Sequence, residues 1–365
     1  MRKLLLLLAI SALLAPLATA TTAGAYVPHG FIGISPQNAL DAEDLELMQR
    51  SDIKSLRLPM YWPAIQHQNP SVQRPDWSDF DHNVGLAAER GIRVFPFLYG
   101  TPSWAAFKTS TDPVETAWQR WGWSTFLRDA VERYGPDGSF WEENPDLPYF
   151  PIRSWEIWNE ENIVTFDHDP DPGRFAKLIR LSGQVLHDAD PGSKVILGGL
   201  FGRPLQSPPN VQSGDFLSGL YRSRRVKQYF DGVALHPYVA DAGAMTAEIE
   251  NLRRVMRVHH DSATPIYVTE LGWGSASDES RWEKGPYGQA DELDRAFSLL
   301  TLQRLNWRIA GVWWFSWIDQ DGACQFCDSA GLLTQSREAK PAWYRFNAWT
   351  GGDAETVPRA LFPFG

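Results

Sequence analysis

Eight short β-prone runs alternate with helix-like stretches along this chain, and no other feature limits its possible folds as strongly. The runs are Phe31–Ser35, Ile53–Leu58, Ile92–Leu98, Ile152–Trp158, Lys194–Leu200, Gly232–His236, Pro265–Glu270 and Ala310–Trp317. Between them apolar residues recur at three- and four-residue spacing. Those stretches are Asp44–Arg50, Phe80–Glu89, Thr116–Arg133, Arg174–Asp188, Met245–His259 and Ala290–Asn306, with a shorter one at Ser213–Tyr221. Gly or Pro marks many joints, among them Gly91, Pro191-Gly192 and Pro265. Strand and helix in strict alternation predict an α/β fold, a closed parallel (β/α)₈ barrel. No low-complexity linker divides the chain and no repeat of solenoid length is visible. One barrel domain is therefore expected over 26–350, with a C-terminal strap over 351–365. Gly135–Pro151 and the Pro-rich Arg203–Asn210 read as long loops on it.

The chain opens on Met1-Arg2-Lys3, an apolar run from Leu4 through Leu14, and small residues at Ala18-Thr19-Ala20. A cationic start, a short apolar core and an Ala-x-Ala site predict a signal peptide over 1–20. A second Ala-x-Ala, Ala23-Gly24-Ala25, places the cut as late as 25. The core is short for a membrane span, so the expected location is extracellular or in the cell envelope. A formal charge of −10 argues against nucleic acid and anionic membranes as partners. The chain is expected to act as a monomer. Its two cysteines, in Cys324-Gln325-Phe326-Cys327, read as a local disulfide in an exported protein. Zinc would need further ligands, and no His or other Cys stands near them at metal spacing. No His-x-His marks the first run, so neither a metal nor another cofactor is expected.

Two acids occupy matching places. Glu160 follows Trp158-Asn159 at the close of the fourth run, and Glu270 follows Val268-Thr269 at the close of the seventh. The C-terminal ends of barrel strands are where catalytic side chains collect. A carboxylate pair is also the apparatus for breaking a glycosidic bond. Arg57 lies inside an apolar run, Ser55-Leu56-Arg57-Leu58-Pro59, where its charge requires a buried partner. That partner is Glu270, unless Arg57 makes a structural ion pair or lies on an exposed strand face. Glu156 shares strand parity with Glu160 and is expected to point inward as a paired support; Glu161 has the opposite parity.

These residues make the chain similar to the glycoside hydrolases of clan A, nearest to family 39 and next to family 5. The resemblance covers nearly all of the chain after the leader. It implies a retaining O-glycosyl hydrolase, acting on a glycoside or polysaccharide substrate through a covalent glycosyl-enzyme. Glu160 would be the general acid/base and Glu270 the nucleophile. Arg57 would stand beside the nucleophile and Asn159 would meet the sugar 2-hydroxyl. In His236-Pro237-Tyr238, the His would lie near the acid and the Tyr near the nucleophile. The resemblance matches Trp317 to the platform under the sugar, with Trp314 as the alternative if the register differs by one. Trp62, Trp104 and Trp273 fall just beyond strand ends and are candidate platforms or core residues. The family often carries Asn-Glu-Pro-Asn where this chain has Asn159-Glu160-Glu161-Asn162. Two other functions use the same features: a non-catalytic carbohydrate-binding barrel, and a transglycosylase in which a sugar replaces water.

Overall fold

Eight parallel strands close on themselves in chain order. They are β1 (Ile32–Ile34), β2 (Ser55–Tyr61), β3 (Arg93–Tyr99), β4 (Ser154–Ile157), β5 (Lys194–Phe201), β6 (Gly232–His236), β7 (Ile266–Leu271) and β8 (Ile309–Trp314). The computed structural model describes residues 27–360 and 362, apart from 277–279, 323 and 325. The expected signal peptide lies outside the described residues. Closure runs through β8, whose Val312, Trp313 and Trp314 pair with Ile32, Gly33 and Ile34. The structure is thus the expected (β/α)₈ barrel.

Helices Ala42–Arg50, Ser78–Glu89, Ala117–Tyr134, Pro172–Ala189, Ser213–Tyr221, Ala242–Val258 and Gly285–Trp307 surround it. Their starts have local causes. Asp41 and Thr116 each accept from the backbone three residues on and form capping boxes with Asp44 and Gln119; Asp171 and Asp241 cap two others. A further helix, Pro341–Thr350, packs against Gly285–Trp307. Beyond it the chain runs back over the barrel. Asp353 N–H donates to the Arg50 carbonyl (2.8 Å), and the Ala339 and Ala360 N–H groups donate to the Pro358 and Ala339 carbonyls.

Alternation along each strand sends one face to the helices and the other into the barrel. Phe95, Ile196, Ala234 and Trp313, with Tyr267 against them, fill the interior towards the N-terminal ends of the strands. This leaves the C-terminal mouth for polar side chains. Three strands end earlier than their sequence runs, β1 by one residue at Ile34. β8 stops at Trp314, and β4 stops at Ile157, so Glu160 stands three residues past its strand. Trp158 and Glu160 both take left-handed backbone, φ 75° and 46°, which is uncommon for bulky side chains and frequent at functional sites.

Candidate active site

Arg57 organises the mouth. It is fully buried on β2 and every N–H is spent. Nε and Nη2 make a bidentate pair with Glu156 of β4 (2.8 and 2.9 Å). Nη2 also donates to Asn159 Oδ1 (2.9 Å), while Nη1 donates to Glu270 Oε1 (2.6 Å) and Ser35 Oγ (3.3 Å). The sequence left Arg57 with two possible partners; the structure gives it both. Its guanidinium also lies over the Phe97 ring, 3.9 Å from the centroid. With its oxygen held by Arg57, Asn159 has its amide NH₂ left for a ligand hydroxyl.

Glu270, on β7, accepts from Arg57 at one oxygen and from the Tyr238 hydroxyl at the other (2.6 Å). Burial disfavours its charge, but His236, Arg57 and the Tyr238 hydrogen bond together outweigh burial and hold its pKa below the usual glutamate range. Glu160 is tuned the other way. Burial raises its pKa, the Glu270 charge adds to that, and the His236 contact with the more distant Arg57 charge only partly offsets them. One carboxyl is thus favoured as the acid and its neighbour as the anion. Donor oxygens of the two, with a nitrogen of His236, lie within 4.8 Å of one another. Such a trio has the spacing of a cation site, yet Arg57 and Tyr238 already occupy both Glu270 oxygens.

His236 closes the arrangement. Its Nδ1 lies 2.8 Å from Glu160 Oε1 and 3.6 Å from Glu270 Oε2, and its Nε2 lies 3.0 Å from Thr269 Oγ1. Thr269 spends its own proton on Glu156 Oε1 (3.2 Å), so its oxygen accepts from Nε2–H. Nδ1 is thereby turned to the Glu160 carboxyl, whose pKa this contact lowers. Thr269→Val should remove the acceptor that holds the ring in place and weaken its hold on Glu160. The basic limb of the kcat/KM pH profile should then move to higher pH. A basic limb unchanged in Thr269→Val would show that the threonine only fills space.

The ring fits because β5 has glycine beneath it. A Cβ at Gly199 would lie 1.9 Å from His236 Nε2, and the Gly199 carbonyl accepts from the Glu160 N–H (3.1 Å). The pair Gly198-Gly199 inside a strand was the sequence signal for this close approach. Glu161 is buried on the other side of the chain, and burial pushes its pKa well up.

Arg57→Met should raise the acidic-limb pKa of kcat/KM, because Glu270 loses a positive neighbour. It should also cost about 3–5 kcal/mol of stability, since Glu156 is left buried without its cation. A pH profile and a denaturant titration measure the two effects; an unmoved acidic limb would assign Arg57 a structural role alone.

Of the tryptophan expectations, the core reading holds for Trp62, Trp104 and Trp273, and the platform reading of Trp314 and Trp317 needs correction. Trp62, Trp273, Trp314 and Trp317 are fully buried, and none of them, nor Trp104, lines the cavity at the barrel mouth. Trp314 points outward by alternation and packs on Trp273 and Phe297. Trp317 lies past the end of β8, where strand parity no longer governs it; it packs on Trp343 and donates to Asp44. Trp62 packs with Trp104, Trp123 and Phe126, and the Trp62 and Trp104 N–H groups both donate to Gln66. Trp273 donates to the Val239 carbonyl. Large indoles with acceptors in the protein interior are core residues. The cavity, about 490 Å³, is faced instead by Phe97, Tyr99, Phe166, Phe201, Phe315 and Phe326. A disulfide joins Cys324 and Cys327 at its rim. It closes the loop that carries Phe326, whose ring centroid is 5.0 Å from that of Tyr238.

No family model and no curated protein matches the chain. Solved structures do share its fold. One is a family 39 glycoside hydrolase from the gut symbiont Bacteroides cellulosilyticus WH2, 18% identical, with a TM-score of 0.59 over 88% of this chain and 63% of that one. A family 39 enzyme from Xanthomonas axonopodis pv. citri is 16% identical, with a TM-score of 0.64 over 87% of this chain and 66% of that one. A family 5 enzyme of subfamily 18 from Bifidobacterium longum subsp. infantis is 15% identical, with a TM-score of 0.61 over 90% and 80%. This chain therefore spans less than two thirds of the length of the two family 39 proteins. These three neighbours are glycoside hydrolases of families 39 and 5, and the barrel is the fold this chain has in common with them.

Proposed function

We propose that this chain is a retaining O-glycosyl hydrolase with Glu160 as general acid/base and Glu270 as nucleophile. One observation carries the reading: two buried carboxyls with oxygens no more than 4.8 Å apart have their pKa values pushed in opposite directions. Opposed tuning of neighbouring acids is how acid and nucleophile are separated. The short separation favours direct attack by Glu270, since inverting enzymes keep their carboxyls roughly 6.5–9.5 Å apart to admit a water. Glu270 attacks the anomeric carbon while Glu160 protonates the leaving oxygen; Glu160 then deprotonates the water that releases the sugar. The fold shared with glycoside hydrolases agrees with this chemistry. Export is part of the proposal, supported by the leader-like start and by a disulfide suited to an oxidising compartment.

A panel of p-nitrophenyl glycosides incubated with the purified protein tests the reading. Nitrophenol release should occur with at least one sugar and should vanish in Glu270→Gln. Sugar binding without turnover on any substrate would favour the non-catalytic carbohydrate-binding barrel. A sugar acceptor that suppresses free-sugar release while products lengthen would favour transglycosylation.

A further inference from the structure

The cavity over the two acids has unlike sides. The segment after β1 supplies hydrogen-bonding groups. Gln37 donates to the Cys327 carbonyl (2.7 Å), and Asn38 Oδ1 is buried with no hydrogen-bond partner among the described residues. The Asn159 amide, in the same cavity, keeps its N–H groups for a sugar hydroxyl. The side around Glu160 is largely apolar: Tyr99 at the end of β3, Ile163 and Phe166 after the acid, and Phe201 at the end of β5, with Thr165 and the Tyr99 hydroxyl as its polar groups. Phe166 meets Tyr99 edge-on, with centroids 6.2 Å apart, and Phe201 meets Tyr238 at 5.6 Å.

This wall is tied to the acid itself. Ile163 N–H donates to the Glu160 carbonyl (3.0 Å), and Phe166 N–H donates to the Ile163 carbonyl (3.1 Å). Trp158 Nε1 donates to the Phe166 carbonyl (2.9 Å), and Phe201 N–H donates to Asn162 Oδ1 (2.9 Å). A general acid must reach the leaving oxygen, so the leaving group lies beside Glu160 whatever sugar is cleaved. Phe and Ile side chains there reward apolar surface and leave hydroxyls unpaired. Charge narrows the choice further. No Lys or Arg is among the described residues that line the cavity, and Arg57 beneath it has no N–H to spare. A sugar carboxylate would face Glu270 without a counter-ion.

We propose that the substrate is an uncharged glycoside with an apolar alkyl or aryl aglycone, rather than a polysaccharide or a uronide. This rests on the glycosidase reading above. The probes are methyl and octyl glycosides of the sugar and anomer that the aryl panel identifies, the matching disaccharide, and p-nitrophenyl glucuronide. Methanol and octanol are similar leaving groups, so their ratio reports aglycone contact rather than chemistry. The octyl glycoside should exceed both the methyl glycoside and the disaccharide in kcat/KM by about tenfold or more. Phe166→Ala should bring the octyl-to-methyl ratio down, and the glucuronide should be the poorest aryl substrate. Equal rates on methyl and octyl glycosides, a preference for the disaccharide, or a preferred glucuronide would overturn the proposal while leaving the enzyme a glycosidase. Should no glycoside be cleaved, the glycosidase reading falls and the substrate class with it. The wild-type ratios decide the matter even if Phe166→Ala folds poorly.

Discussion

Glu270→Ala is expected to lower kcat/KM on an activated aryl glycoside by about 10⁴- to 10⁶-fold, the scale on which enzymes lose a covalent nucleophile. The fold should survive, because Arg57 keeps its bidentate partner Glu156 and its bonds to Ser35 and Asn159. The truncated side chain leaves space beside the anomeric carbon. Added azide should enter it and restore turnover, giving a glycosyl azide of inverted anomeric configuration. Circular dichroism would establish that the variant is folded, and product analysis would identify the azide. Substantial hydrolysis by a folded Glu270→Ala protein, with no azide adduct, would remove Glu270 from this role.

Glu160→Ala should fail in a substrate-dependent way. Alkyl glycosides need a proton on the leaving oxygen and should lose about 10²- to 10⁴-fold, the usual worth of general acid catalysis. Dinitrophenyl glycosides need none and should still form the glycosyl-enzyme, then release it slowly for want of a base. The basic limb of the pH profile should disappear with the side chain, since that limb reports the acid whose pKa burial has raised. A plot of log kcat/KM against leaving-group pKa tests this, with a steep slope expected for the variant. Equal losses on every substrate would move the acid elsewhere. Glu161 would be the first alternative to examine, although it is buried outside the described cavity lining.

Sequence and structure agree where local chemistry decides position. Strand alternation and helix caps are local, so the eight runs and the flanking helices are found within a few residues of where periodicity places them. An arginine in an apolar strand needs a buried partner, and that requirement, together with the clan A resemblance, pointed to Arg57 beside Glu270. The tryptophans were not legible in this way. Their roles depend on which way a strand end turns, and β8 stops at Trp314, so parity could not be carried to Trp317. The cavity aromatics come from five separate places in the sequence: Phe97 and Tyr99, Phe166, Phe201, Tyr238, and Phe315 with Phe326. Only barrel closure brings them together. Thr269 and Gly199 were equally hidden, since each acts through His236 and neither carries charge. A glycine pair inside a strand was the one available hint.

The central claim is that two oppositely tuned carboxyls act through a glycosyl-enzyme. Its most direct measurement is the anomeric configuration of the first-formed sugar, followed by proton NMR before mutarotation sets in. Using the aryl glycoside that the panel identifies, the account predicts that the initial product has the same anomeric configuration as the substrate. A first product of the opposite configuration would mean that water, not Glu270, attacks the sugar, and would contradict the assignment made from the 4.8 Å site.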